Sequence, residues 1–240
     1  MMLLLIPWSC SSQESSQSEP QASKSEPGKL KVALQEVREL PAEWLIGPYI
    51  PSSAPLIPLT NEQRAEVCVR QTFLTANAYI LRMFAAGVDQ ARGTPSQWGG
   101  GMAGYGPRFG SRYGVFVIAN GFHSVGNAAL GYESRYDLCH CGGFWPRTRH
   151  AIVRNFVTYD RTERHLRPAI PLYAGSFGAG MIETAWLPGQ RNVWKEGAYA
   201  TLGQAGFGSI YNWASEFSID ILRKITKQRY PRALSQKADH

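Results

Sequence analysis

Seven glycines occur in the nineteen residues SQWGGGMAGYGPRFGSRYG, Ser96 to Gly114, and the segment runs directly into the apolar VFVIA. A glycine inside a helix costs about 0.5–1 kcal/mol relative to alanine. A chain that keeps so many must therefore use them for close packing, for turns, or for both. Twenty-one of the 24 glycines lie between Gly93 and Gly208. With 44% hydrophobic and 12% aromatic residues, that concentration describes a packed domain rather than a linker. The 240 residues suffice for one core and a tail.

Start and stop signals predict an all-α fold. Thr60-Asn-Glu-Gln63 has the form of a capping box, and the residues after it present an apolar face through Val67, Leu74, Leu81 and Phe84. Pro107, Pro146 and Pro168 stand where a first helical turn accepts proline. The expected helices are 61–87, 107–131, 146–158, 169–187 and 191–228, a compact glycine-packed bundle of about five. Gly106, Gly110 and Gly114 recur every fourth residue and so share one stripe of a helix, with Gly178 in a second small-residue pattern. The expectation is that these four glycines let neighbouring helices approach closely.

The ends read differently. MMLLLIPWSC joins a short apolar run to Cys10, and a Ser/Gln-rich stretch follows, so the pattern resembles that of bacterial lipoproteins, in which a small residue (here Ser9) precedes the lipidated cysteine. The implied organisation is a signal-like segment over 1–10 with Cys10 as lipid attachment, a disordered tether over 11–29 and a proline-rich strap over 30–59. The bundle domain then covers 60–230 and a basic tail 231–240. The strap holds five prolines between Pro41 and Pro58, which exclude a continuous helix, and Trp44, Leu45, Tyr49 and Ile50 are its expected anchors. Two segments, YGVFVIANGFHSVGNAALGY and PAIPLYAGSFGAGMIETAWLP, have the length of a membrane span. Asn, His and Glu among their apolar residues favour a bundle tethered beside a membrane.

Charge names the partners to expect. The chain carries 25 Lys and Arg against 18 Asp and Glu, a net +7, and two basic regions, Ser134–Arg167 and Arg223–His240, supply the excess. A membrane or another anionic envelope component is the expected partner, with a protein partner as the second reading. Nucleic acid is not expected, since no recognition motif for it is present.

Cys139-His140-Cys141 places three metal-ligand types side by side, too close for one tetrahedral ion. No metal and no other cofactor is expected. The thiols are free, or one of the pair bridges to Cys68. GSFGAG lacks the Lys-Ser/Thr of a phosphate loop, and no Gly-x-Ser-x-Gly elbow occurs. What remains is a polar group around GYESRYD and FWPRTRHAIVRNFVTYDRTERH. Glu133 and Arg135 end one helix, and Arg149, His150 and Arg154 lie on the next, so ion pairs across the glycine connection are expected to fix a corner. In the rival reading, an enzyme on an envelope phosphoester or lipid, His150 and His165 are the weak acid–base candidates and Arg149, Arg154 and Arg167 hold the anion. That reading requires these groups to converge on one concave pocket.

Glu133-Ser-Arg135-Tyr136, Arg149-His150-Ala151, Asn155-Phe-Val-Thr158, Gly178-Ala-Gly-Met-Ile182 and Trp186-Leu-Pro188 stand beside WGGGMAGYGPRFGSRYG. Over about Trp98 to Trp213 this arrangement resembles a group of uncharacterised, glycine-rich bacterial proteins with N-terminal secretion signals. The resemblance implies an envelope location and no known activity. The expected function is that of a membrane-tethered, non-enzymatic binding or structural bundle.

Overall fold

The structure, a computed structural model, describes residues 42–51, 57–160 and 165–226. The lipidation reading of Cys10, the tether, and the basic tail from 231 fall outside these residues. The described chain is all-α, with seven α-helices rather than about five: α1 Ala42–Ile46, α2 Asn61–Phe73, α3 Ala76–Ala91, α4 Gly101–Leu130, α5 Phe144–Phe156, α6 Ile170–Glu183 and α7 Val193–Thr226.

The extra helices have local causes. The capping box forms as its residues dictate: Gln63 N donates to Thr60 Oγ1 at 3.3 Å and Thr60 N donates to Gln63 Oε1 at 2.9 Å. The expected helix 61–87 then breaks at Leu74–Thr75, where the Thr75 hydroxyl donates to the Arg70 carbonyl at 2.9 Å and stops α2. The other addition is α1, five residues inside the proline-rich strap. Of the strap anchors, Ile50 is buried together with Ile46, whereas Trp44 is exposed. α4 begins at Gly101, before the expected start, and takes Pro107 into its second turn. It ends at Gly131, whose φ of +71° is the left-handed cap that glycine adopts without strain. Arg64 of α2 donates to the Tyr132 carbonyl at 2.7 Å and ties α2 to this helix end.

Two short ladders join the helices. β1 (Tyr49–Ile50) pairs in parallel with β2 (Tyr136–Asp137), and β3 (Val157–Tyr159) pairs antiparallel with β4 (Leu166–Pro168). Pro168 thus closes a strand instead of opening a helix, and Pro171 takes the first turn of α6. α4 packs most extensively on α6, α6 on α7, α5 on α7, and α3 and α2 on α4.

The glycines of the helix seams are not the predicted stripe. A Cβ at Gly106 or Gly110 would meet nothing within 4 Å, and one at Gly114 would sit 3.8 Å from the Trp186 ring. The stripe faces away from any close backbone because α4 turns a different face to α6. The close approaches are at Gly126, whose Cβ would lie 2.7 Å from Pro171, and Gly175, 2.9 Å from the Ala119 carbonyl, both between α4 and α6. Gly180 makes the α6–α7 approach, 2.5 Å from Ala200 Cβ. Gly178 faces the Phe122 ring at 3.5 Å, an ordinary contact that does not demand glycine.

Polarity is sorted unusually. Among the described residues the buried hydrophobic side chains are Ile46, Ile50, Leu59, Val67, Leu138 and five alanines, while the largest fully buried side chains are Arg108, Glu216, Asn127 and Asn155. Large apolar side chains point outward on every long helix, including Met102 at 81% exposure, Trp145 at 76%, Val125 at 70% and Leu202 at 68%.

Candidate functional site

The glycine-rich entry to α4 encloses an arginine. Arg108 Nε donates to Thr94 O at 2.8 Å, Nη2 to Pro95 O at 2.8 Å, and Nη1 to Gly99 O, Gly104 O and Gln90 Oε1 at 3.0, 2.8 and 2.6 Å. All of these acceptors are neutral. Gly104 has no room for a side chain because a Cβ would lie 2.5 Å from the Gly99 carbonyl and 2.7 Å from Arg108 Nη1. Part of the opening glycine cluster therefore serves as a carbonyl cage for one buried guanidinium.

A second buried network holds the corner singled out by the polar residues, with different partners. Glu133 does not pair with Arg149 or Arg154. It accepts from Arg135 Nε at 2.9 Å and Nη2 at 3.0 Å, and from the backbone N–H groups of Ser134 and Arg135. The partner lies two residues along because the loop after α4 folds the arginine back over the carboxylate. Arg154 instead pairs with Asp137, and its guanidinium lies 4.5 Å from the Tyr159 ring centroid. His150 Nε2 lies 2.9 Å from the Asp137 carbonyl oxygen. Arg149 is exposed and makes no ion pair among the described residues. Arg167 pairs with Asp160 at 3.4 Å on the β3–β4 ladder, where His165 is exposed.

The centre of this network is Glu216 on α7, which the sequence patterns did not single out. Its carboxylate accepts from Tyr136 Oη at 2.9 Å, Arg147 Nε at 2.9 Å and Cys139 N at 3.1 Å. Burial, and then the Glu216 charge, push the Tyr136 phenol far above its ordinary range. Arg147 also pairs with Asp220 and stacks 4.3 Å from the Phe217 ring centroid. Beside it, Cys139 and Cys141 are joined to each other in a disulfide and Cys68 is free, so the bridge to Cys68 does not form. Among the described residues no cluster of His, Cys, Asp or Glu suits a metal ion.

A cavity of about 570 Å3 opens between α3, α4, α6 and α7. None of His150, His165, Arg149, Arg154 and Arg167 lines it. The histidines and arginines of the enzyme reading are thus not gathered there, and Arg154 and Arg167 are already engaged by carboxylates. Five other arginines do line it: Arg82, Arg92, Arg108, Arg112 and Arg191. Arg112 grips Asp89 through two bonds, Nη2 to Oδ1 at 3.0 Å and Nε to Oδ2 at 2.5 Å, and Arg191 reaches Glu196 at 3.5 Å. Arg82 has no carboxylate within ion-pair distance among the described residues; its guanidinium lies 3.9 Å from the Phe116 ring centroid, and burial lowers its pKa to about 10. Glu183 accepts from the Ser111 hydroxyl at 2.7 Å, yet burial outweighs that bond and raises its pKa.

Arg82 was legible only in hindsight. It stands between Ala78 and Ala86 on the buried stripe of α3, and an arginine four residues from two buried alanines is the signal. No protein-family model matches the chain, and no curated protein or solved structure does.

Proposed function

We propose that the protein is a non-enzymatic binding and structural bundle of the bacterial cell envelope, tethered through Cys10 and resting with apolar helix faces on an anionic membrane. The observation that carries this reading is the sorting of polarity. Arg108, Glu216, Asn127 and Asn155 are fully buried and hydrogen-bonded within the fold, while Met102, Trp145, Trp194 and Leu202 face outward. A chain surrounded only by water gains most from the opposite arrangement, so the outer faces are matched to an apolar surface. The net charge of +7 suits that surface to anionic lipid. Among the described residues no helix is long and apolar enough to cross a membrane, which favours faces that lie on the bilayer.

Flotation of the full chain with vesicles tests the reading. Binding should be strong to phosphatidylglycerol-containing vesicles and weaker to phosphatidylcholine alone, and in cells Cys10→Ser should move the protein from the membrane fraction to the soluble one. Failure to float with either vesicle, or an unmodified wild-type protein found in the soluble fraction, overturns it.

A further inference from the structure

We propose that the cavity between α3, α4, α6 and α7 binds a single-chain amphiphile with an anionic head, a carboxylate or a phosphate monoester. Arg82 holds the head beside Phe116, and apolar residues such as Leu81, Val115 and Phe207 line the space left for the chain.

Charge comes first. Five arginines and three carboxylates, Asp89, Glu183 and Glu196, line the space, so the formal balance is 5 − 3 = +2. Arg112 and Arg191 are taken by Asp89 and Glu196, and Arg108 by backbone carbonyls and Gln90. That leaves Arg82, half-buried against Phe116 with no carboxylate in ion-pair distance among the described residues, while Arg92 is exposed at the end of α3, about 15 Å along the helix from it. A half-buried guanidinium held by a ring face keeps its N–H donors for an anion, and a guanidinium is the group best shaped to take a carboxylate or phosphate through two bonds. The buried Glu183 carboxyl, biased toward its neutral form, opposes an incoming anion less than a free carboxylate would.

Size and lining then exclude a bare inorganic anion. The 570 Å3 volume lies within the range of small-molecule sites. At about 30 Å3 per water-sized group it holds roughly 19 such groups, the size of a fatty-acid chain. The wall exposes more apolar than polar surface, which suits an alkyl chain. The inference does not depend on where the protein resides, so it stands or falls apart from the membrane reading.

The test is calorimetric titration of the full chain with laurate, lauryl phosphate, lauryl alcohol and inorganic phosphate, each below its micelle-forming concentration. One equivalent of laurate or lauryl phosphate should bind at least about tenfold more tightly than the alcohol or inorganic phosphate, a difference of about 1.4 kcal/mol. The tighter of the two names the head group. Arg82→Met, which keeps the stem against Phe116, should weaken the anionic probe by about tenfold or more and leave the alcohol unchanged, whereas Arg92→Gln should leave both close to wild type. Arg82→Lys, which keeps the charge but not the two-bond fork, should lose part of that affinity and decides the matter even if Arg82→Met does not fold. Unchanged affinity in the folded Arg82 variants, equal binding of laurate and alcohol, inorganic phosphate binding as tightly as lauryl phosphate, or no one-to-one binding overturns the proposal.

Discussion

At the scale of single residues, stability rests on polar groups that cannot be removed singly. Glu216 is 1% exposed at its side chain and its partner Arg147 is 11% exposed, so truncating the carboxylate leaves the guanidinium with Asp220 as its remaining carboxylate and strands a phenol and a backbone N–H at once. Breaking such a buried pair typically costs about 3–5 kcal/mol. Glu216→Ala should therefore lose about that much in urea unfolding, whereas Glu43→Ala, whose bridge to Arg70 is exposed on both sides, should lose under about 1 kcal/mol. A second prediction concerns His123, which burial pushes down to about pKa 4 from the ordinary 6.5. Asn127 Nδ2 donates to its Nε2 at 2.8 Å, which suits the neutral ring. As pH falls from 6.5 to 4, the unfolded chain takes up a proton that the folded chain refuses, so stability drops across that window by up to about 3 kcal/mol. In His123→Gln the melting temperature should fall less steeply from pH 7 to pH 5 than in the wild type. Parallel pH profiles would mean that the imidazole is not desolvated as the structure has it.

At the scale of the elements, spacing disclosed which residues were helical and not which faces met. Gly110→Ala places a methyl in open space on α4, so it should stabilise the fold by about 0.5–1 kcal/mol through helix propensity. Gly180→Ala forces a methyl to within 2.5 Å of Ala200 Cβ and 2.6 Å of the Glu196 carbonyl, and should cost about 1–3 kcal/mol by overpacking α6 on α7. Thermal unfolding of the two variants should thus move in opposite directions; the same sign in both would remove the seam at Gly180. The four-residue repeat of Gly106, Gly110 and Gly114 could not reveal this, because periodicity places residues on one stripe without saying what lies opposite. Local signals fared better: the Thr60–Gln63 box reads directly from sequence because its hydrogen bonds span three residues. Spacing points Glu133 to an ion pair on the next helix, whereas its partner is Arg135, placed by a loop that spacing does not describe. Glu216 and Arg82, whose roles come from contacts between distant segments, left almost no local trace.

At the scale of the folded chain, an interior tied by polar groups and an exterior rich in large apolar side chains should respond to substitution in a reversed pattern. In an ordinary water-facing domain, exchanging a large hydrophobe for a charge is ruinous because that hydrophobe is core. Here Trp145 and Leu202 are 76% and 68% exposed, and a lysine at either position keeps its ammonium in water while its stem covers the neighbouring surface. Trp145→Lys and Leu202→Lys should leave the unfolding free energy within about 0.5 kcal/mol of wild type. By contrast Arg108→Leu, which matches an apolar side chain to a cage of carbonyls, should unfold the bundle or cost several kcal/mol, since at least four backbone acceptors lose their donor together. The two lysine variants also bear on what the exterior faces. Each adds a positive charge, so electrostatic attraction to anionic lipid alone would strengthen vesicle binding, whereas removal of an apolar anchor would weaken it. Both variants are expected to float less well than the wild type with phosphatidylglycerol vesicles despite the added charge. Undiminished or stronger flotation would show that charge alone holds the protein to lipid and that the outward-facing tryptophan and leucine serve another contact.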